Sequence, residues 1–566
     1  MSRIRRVEIH HFRGIEHLVW NPSPGVNCLI GPGDVGKSTV LDAIDYCLGS
    51  RRTLQPSDAD FHGVDAGKPV RIQVTIGDLE DPLMSLDAYG LYLRGFDAES
   101  GEIDDEPEAG RETVLTIELV IEGDLEPSWA LHSERAEAQG QSRHLNWADR
   151  LKLSPTRLGA FSDYHLGWRK GSILNRVSDE RADASAELAR FAREARETFG
   201  ETAKEQVPET LALVKKTAAE LGIPVGEVTA MLDAQSVSLS GGMISLHAGD
   251  GVPLRGLGLG SVRLLVAGLQ RAASGKSAVV LVDEVEHGLE PHRICRLLHS
   301  LGAKEANAPI QAFMTTHSPV VLRELSSDQL FVLRRTGNGH EARQVGAEDA
   351  MQGTVRACPE ALLAPCVIVG EGPSEIGLVR GLDLYRVENG QPSIAALGAS
   401  LADGQGDNTF RRANALLKLG YRVLVLRDSD KPLPAEAKAF ATDGGKTASW
   451  RDGLAVEQEL FQNLPEGAVL ELLDVAVERK GEVLIDDHIK SASAGTLDLA
   501  SCRVDVNDDV RAVLGKAAKS KSGAWFKTVT EMEAIGRGVV GPNLDNATAE
   551  FRGVVDFLFT WAQGDQ

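Results

Sequence analysis

Apolar residues in this chain fall into short runs, each stopped by glycine, proline or a group of charges. Asn27–Ile30 is one such run and leads into a glycine-rich turn; beyond it Val40, Leu41, Ile44, Cys47 and Leu48 recur at helical spacing. Residues 1–80 read as short strands with one helix. Residues 95–112 are acidic and contain glycine, which predicts an exposed loop. Residues 175–220 are rich in Ala, Glu, Arg and Lys with few breakers, which predicts helices. The runs at 277–283 and 309–315 have the bounded, uniformly apolar character of buried strands in a parallel sheet. From Arg334 to Asp349 the chain is polar, and a new strand–turn–helix starts at Pro365. The pattern therefore predicts an α/β chain with a main boundary near 350–364. That gives one domain over 1–360, with a helical insertion at about 165–235, and a second over 361–566.

A length of 566 residues exceeds what one core organises. The 42% hydrophobic and 25% charged composition is that of ordinary globular proteins and excludes a disordered or collagen-like chain. No apolar run approaches the ~20 residues of a membrane span, and the basic N-terminus lacks the apolar stretch of a signal peptide. The six cysteines are scattered without a C-x-x-C pair, which predicts reduced thiols, no structural zinc and a cytoplasmic setting. The formal charge of −22 repels nucleic acid, so contact with DNA requires local basic patches or bridging metal ions.

Gly31-Pro32-Gly33-Asp34-Val35-Gly36-Lys37-Ser38-Thr39 fits G-x-x-x-x-G-K-[ST] without a mismatch. Gly31, Gly33 and Gly36 let backbone N–H groups wrap a phosphate, Lys37 reaches the β/γ-phosphates, and Ser38, next to Thr39, can ligate Mg²⁺. Ala278–Val282 is a buried strand ending in Asp283 and Glu284, suited to hold Mg²⁺ and to polarise a water. Phe313–Thr316 is another strand, and His317 follows it. The order of phosphate loop, Asp-Glu and histidine resembles ABC-type ATPases, which implies that His317 senses the γ-phosphate. The opening Val7–Gly14 and the segment Glu286–Pro291 resemble the RecF/SMC/OLD branch, in which two ATPase heads close over two nucleotides and each completes the other's site. Leu239-Ser240-Gly241-Gly242 imitates the ABC signature, but an alternating stretch follows it. Arg255–Arg263, with Gly258, Gly260 and Ser261, leads into a helical run and is the better candidate. It departs from the standard signature, which bears on ATP turnover more than on ATP binding.

A second set of residues carries different chemistry. The strand Pro365–Gly370 ends in Glu371, and Glu375 lies one turn into the next helix; the strand Tyr421–Arg427 ends in Asp428-Ser429-Asp430. Acids at the C-terminal ends of two parallel strands share one crevice and repel one another unless a cation, here Mg²⁺ or Mn²⁺, neutralises them. Glutamate at one strand end and Asp-x-Asp at a later one is the Toprim signature. Behind an ABC-type head it resembles the OLD-family nucleases, of which the Gabija nuclease subunit is one relative. That resemblance implies a further acid, taken as Glu457 over Glu459, and a lysine within 511–530, taken as Lys521 with Lys519 and Lys527 as alternates. Residues 511–530 hold five basic residues, no acid and the pair Trp525-Phe526, as on a phosphate-contacting face. Two-metal hydrolysis follows, with ions ~3.5–4 Å apart. The resemblance implies an ATP-regulated DNA endonuclease or nickase in phage defence or DNA maintenance. It also implies a dimer or tetramer built through the heads and the insertion, and a separately encoded helicase or other defence protein as a kind of partner. The rival reading is an ATP-dependent DNA-binding sensor or scaffold whose Toprim domain does not cut. A tyrosine nucleophile downstream of the acids is excluded, because the last tyrosine is Tyr421.

Overall fold

The strands of this chain form two kinds of sheet, long antiparallel ribbons and short parallel layers. They are seen in a computed structural model that describes residues 2–49, 54–145, 147–159, 162–166, 172–174, 207–220, 246–249, 251–273, 278–337, 339–346, 349–451, 453–520 and 523–564, with isolated positions between 190 and 226. The backbone divides into two units. One comprises Met1–Phe12, Asn21–Val26 and Leu41–Met314; the other comprises Arg13–Trp20, Asn27–Val40 and Thr315–Gln566.

In the first unit Arg3–Phe12, Val70–Gly77 and Glu112–Ile121 pair antiparallel. Burial alternates along Arg3–Phe12 until the pairing slips between Ile4 and Arg6, a bulge. There Arg5 meets Asp78 at 3.0 Å and Glu112 at 2.8 Å. The far edge of Glu112–Ile121 carries both Leu93–Phe96 and Pro127–His132. The stretch 95–112 departs from the expected loop, because Ile103–Asp104 pairs back on Gly95–Phe96. Its acids are not all solvated: Asp105 meets Arg94 at 3.2 Å and Arg135 at 3.3 Å, and that pairing favours an ordered hairpin. Thr156–Leu158, Val279–Val282 and Gln311–Thr315 form a parallel layer, fully buried at its centre. Of the predicted 165–235 insertion, the helix Pro208–Glu220 is described; most of the rest, and Leu239–Gly242, lie outside the described residues.

In the second unit Val26–Ile30 pairs parallel with Leu330–Thr336, which forms a hairpin with Gly339–Gln344. The polar stretch after Arg334 is thus a strand whose outer residues face solvent. The 350–364 stretch is a helix, Asp349–Ala357, followed by a turn, Pro359–Leu362. Val355, Ala361 and Leu362 are fully buried, and the Tyr421 hydroxyl donates to the Leu362 carbonyl at 2.6 Å. A separate parallel sheet runs in the order Ala399–Asp403, Cys366–Gly370, Arg422–Arg427, Lys446–Ser449. The chain leaves the Cys366–Gly370 strand to one side and returns on the other. That is the topological switch point at which α/β sheets open a crevice at their carboxyl ends. Helices from Pro373 to the C-terminus cover the sheet with one apolar core, including Ile368, Leu424, Phe461, Trp525, Phe526 and Phe551.

Candidate functional site

The register Gly370↔Leu426 brings the two central strands to the same level, so Glu371 and Asp428 leave the sheet side by side. The Glu371 N–H donates to the Leu426 carbonyl at 2.9 Å, and the Asp428 N–H donates to Glu371 Oε2 at 3.1 Å. Gly370 is required here, because a Cβ would lie 2.9 Å from Ile376 Cδ1 and 3.2 Å from Glu375 Cβ. Pro373 then starts the helix Pro373–Glu388 at the position that suits proline. Glu375 in its first turn accepts the Gly372 N–H at 2.8 Å. Opposite, the helix Val456–Asn463 points its first N–H, from Val456, at Asp428 Oδ1 at 2.9 Å. Glu457, the next residue, is fully buried, and neither of its carboxylate oxygens accepts a directed hydrogen bond.

These acids perturb one another. Burial, then the charge of Glu457, then Glu371 and Asp430 push Asp428 up from 3.8 to about 7, against the Val456 N–H, which lowers it. Burial, then the charge of Asp428 and further that of Glu457, raise Glu375 well above the usual carboxylate range. Glu459 is not part of the group: it pairs with Arg451 at 3.2 Å and accepts from the Asn463 side chain.

Two lysines close the crevice. Lys527 Nζ lies 2.8 Å from Glu457 Oε1, an ion pair whose geometry falls short of a directed hydrogen bond, and Lys519 Nζ pairs with Asp430. Lys521 lies outside the described residues. The stretch 511–530 is not the single basic face expected of it. Arg511 donates to the carbonyls of Phe461 and Leu464 at 2.9 and 2.7 Å, satisfying a helix end, and Lys516 donates to the Ala492 carbonyl at 3.2 Å. Trp525 and Phe526 are fully buried against Phe461, with Trp525 Nε1 bonded to His488 at 3.1 Å; they are core and offer no stacking surface. Arg427, missed from the sequence although it directly precedes Asp428, is buried 4.0 Å from Glu371 Oε2 and anchored on the Lys431 carbonyl.

At the phosphate loop, Gly31 and Gly36 adopt φ of +135° and +91°, and a Cβ on Gly31 would lie 2.6 Å from the Leu333 carbonyl oxygen. Gly33 has open space beside it. Lys37 is buried, and its Nζ donates to the Gly31 and Pro32 carbonyls at 3.1 and 2.7 Å. Ser38 and Thr39 follow in the first turn of the helix Lys37–Leu48. His317 is exposed and precedes the helix Pro319–Glu324, whose N-terminus Ser318 caps.

Around Asp283, the sequence also gave no sign of two arginines. Arg157 Nη2 lies 3.7 Å from Asp283, while its Nη1 meets Asp42 at 2.6 Å and Asp45 at 3.4 Å. Arg263 is buried and donates to the carbonyls of Asp283, Glu284 and His287 at 3.2, 3.1 and 2.6 Å, bracing the turn in which Glu284 takes a positive φ of 46°. Gly258 caps the helix Leu259–Ala272, and a Cβ on Gly260 would lie 2.4 Å from the Gly288 carbonyl oxygen. Ser261 accepts from Arg293 at 3.0 Å. Gly260 and Ser261 are thus occupied in packing this helix on the turn.

Among the described residues, the one trio of metal-ligand side chains with all ligand atoms within 4.8 Å is Glu118, His132 and Glu137. It is satisfied without an ion: Glu118 accepts from Arg71 and Gln73 at 2.6 and 2.8 Å, and His132 meets Glu137 at 2.9 Å. The crevice acids do not converge three on one point. Carboxylate pairs suit Mg²⁺, which keeps several of its waters.

Residues 26–323 match the family described as "AAA domain, putative AbiEii toxin, Type IV TA system". The DNA replication and repair protein RecF of Prosthecochloris aestuarii is 40% identical over 62 residues, which are 10% of this chain and 17% of that protein, so this chain spans less than a fifth of that relative's length. An SMC head bound to the C-terminal winged-helix domain of ScpA aligns at 16% identity over 62% of this chain and 99% of its own, with a TM-score of 0.33. RecF with bound nucleotide analogue aligns at 12% identity over 61% and 98%, with a TM-score of 0.30. The family match takes in more than half of the chain, including the phosphate loop and Asp283-Glu284, and the chain therefore belongs to this AAA-domain ATPase family.

Proposed function

We infer that this protein is an ATP-regulated, divalent-metal-dependent DNA endonuclease or nickase of the OLD type, acting in phage defence or DNA maintenance. Residues 361–566 serve as its Toprim nuclease domain, and the AAA domain couples cutting to nucleotide. One observation carries the reading: Glu371, Glu375, Asp428, Asp430 and Glu457 gather at the switch point of a parallel sheet, where a protein without use for them would place apolar or singly charged residues.

The residues fit Mg²⁺ or Mn²⁺. Glu457 presents a buried carboxylate without directed hydrogen bonds, Asp428 is raised to about 7, and the donors are all hard oxygens. When bound, two such ions supply an activated water and a neutralised leaving oxygen. Glu371, Asp428 and Asp430 would hold one, and Glu375 and Glu457 would help to hold the other. The chain's own part is positional: backbone N–H groups of Asp428, Val456 and Gly372 fix three carboxylates without using up all their lone pairs. Lys519 and Lys527 stand where a phosphate would meet them, in a molecule whose −22 charge otherwise repels DNA. The name of the RecF relative, a DNA replication and repair protein, agrees with a DNA substrate. A second copy joined through ATPase heads, and a helicase-like defence partner, belong to the same reading.

The test is plasmid cleavage in Mg²⁺ and Mn²⁺, with and without ATP. Wild type is expected to nick or linearise the plasmid, Asp428→Asn to leave it intact, and Lys37→Ala to lose the response to ATP. An intact plasmid under every nucleotide and metal condition would replace this reading with the non-cutting sensor.

A further inference from the structure

The crevice raises a question of charge: what balances it before ions arrive. Five carboxylates stand against three cationic side chains, and the three differ in mobility. Arg427 is buried and tied to the Lys431 carbonyl, so it stays in place. Lys527 is half exposed at its side chain, and Lys519 about one-third exposed. Lys519 sits at the C-terminal end of the helix Asp508–Ala518. Glu457, by contrast, is fully buried on a helix and cannot follow its lysine outward.

We propose that Lys519 and Lys527 are resident counter-cations, which fill the positions at Asp430 and Glu457 in the metal-free protein, are displaced when divalent ions enter, and then hold the phosphate of incoming DNA. The inference rests on the metal-dependent reading above and adds a regulation to it. An ammonium and a divalent ion at the same carboxylate repel each other, so each lysine lowers ion affinity while no phosphate is present. A DNA phosphate reverses the balance by giving the displaced ammonium a new partner. Metal loading and DNA binding then support each other through the same two side chains, and the crevice fills fully only on substrate. Both carboxylates are held by the fold, while the lysines reach them on flexible stems; the lysines are therefore the part that moves.

The experiment measures Mn²⁺ binding to the full-length, EDTA-stripped protein without DNA. It uses calorimetry and, independently, the paramagnetic resonance signal of free Mn²⁺. Lys519→Met and Lys527→Met are expected to bind Mn²⁺ about tenfold tighter than wild type, since a like charge has left the ion's side. Lys519→Arg and Lys527→Arg, which keep the charge, are expected to stay within about twofold of wild type. Asp428→Asn is expected to bind about tenfold or more weakly. Methionine variants that bind no tighter than wild type, alongside a weakened Asp428→Asn, would overturn the displacement and leave the metal reading standing. Unchanged binding in Asp428→Asn would overturn both. Circular dichroism checks folding; if Lys527→Met unfolds by stranding Glu457, the two Lys519 variants decide the matter.

Discussion

Replacing Asp428 with asparagine is predicted to stabilise the metal-free protein while abolishing cleavage. Asparagine keeps the shape of the side chain and an oxygen that can accept the Val456 N–H. It removes a negative charge that burial and Glu457, Glu371 and Asp430 all oppose. The sign follows from linkage. The folded pKa of about 7 lies above the ordinary 3.8, so the native state binds more protons than the unfolded chain between those values, and stability falls as pH rises through that window. At ~1.4 kcal/mol per pH unit the window sets a ceiling of ~4 kcal/mol on the penalty at pH 8, and leaves ~2 kcal/mol of it at pH 5. Urea denaturation of wild type and Asp428→Asn in EDTA at both pH values reads the difference. The variant should be the more stable by ~2–4 kcal/mol at pH 8, and its advantage should shrink by ~2 kcal/mol at pH 5. Saturating Mn²⁺ should raise wild type and not the variant. A variant less stable than wild type at pH 8, or an advantage that ignores pH, would refute the reasoning, because Asp428 would then be an ordinary solvated acid.

Two further predictions concern the scaffold. Arg263→Met strips donors from the carbonyls of Asp283, Glu284 and His287; it should cost ~2–4 kcal/mol and raise hydrogen exchange at residues 283–288. ATP turnover should fall while nucleotide affinity stays near wild type. Gly381→Ala places a Cβ 2.2 Å from the Glu533 carbonyl oxygen and 2.8 Å from Gly536 Cα, where the helix Pro373–Glu388 crosses its neighbour. The helices must separate, and thermal denaturation should register a loss of ~1–3 kcal/mol.

What the sequence made legible, and what it hid, divide along a physical line. A buried strand that ends in an acid is written locally, as an apolar run followed by a carboxylate, so Glu371, Asp428 and Asp283 were readable, and so was the phosphate loop with its strand before and helix after. Long side chains that reach across the fold leave no local trace. Lys519 meets Asp430 from 89 residues away, and Arg263 meets the Asp283 turn from another helix. Trp525-Phe526 illustrates a different failure. Aromatics beside lysines are the mark of a nucleic-acid face and equally of a helix packing its apolar side inward, and residue type alone does not separate the two. The polar stretch after Arg334 misleads for a related reason, since a hairpin whose outer residues face water has the composition of a linker.

Burial and repulsion both raise Asp428, and Glu457→Gln separates them. Burial is the larger cause and is unchanged by an isosteric amide; Glu457 is the larger of the opposing charges and is removed. In the variant, the midpoint of the pH-dependent loss of stability in EDTA should move down from about 7 and still stop above the ordinary 3.8, because desolvation persists. A midpoint that stays near 7 would mean that Lys527, 2.8 Å from Glu457, already cancels that charge at Asp428. A midpoint that falls to the ordinary value would mean that burial contributes nothing. The intermediate result is the one that describes a site built to need cations: its acids are kept dry by the fold and held close by backbone N–H groups, and no single neighbouring side chain accounts for their reluctance to ionise.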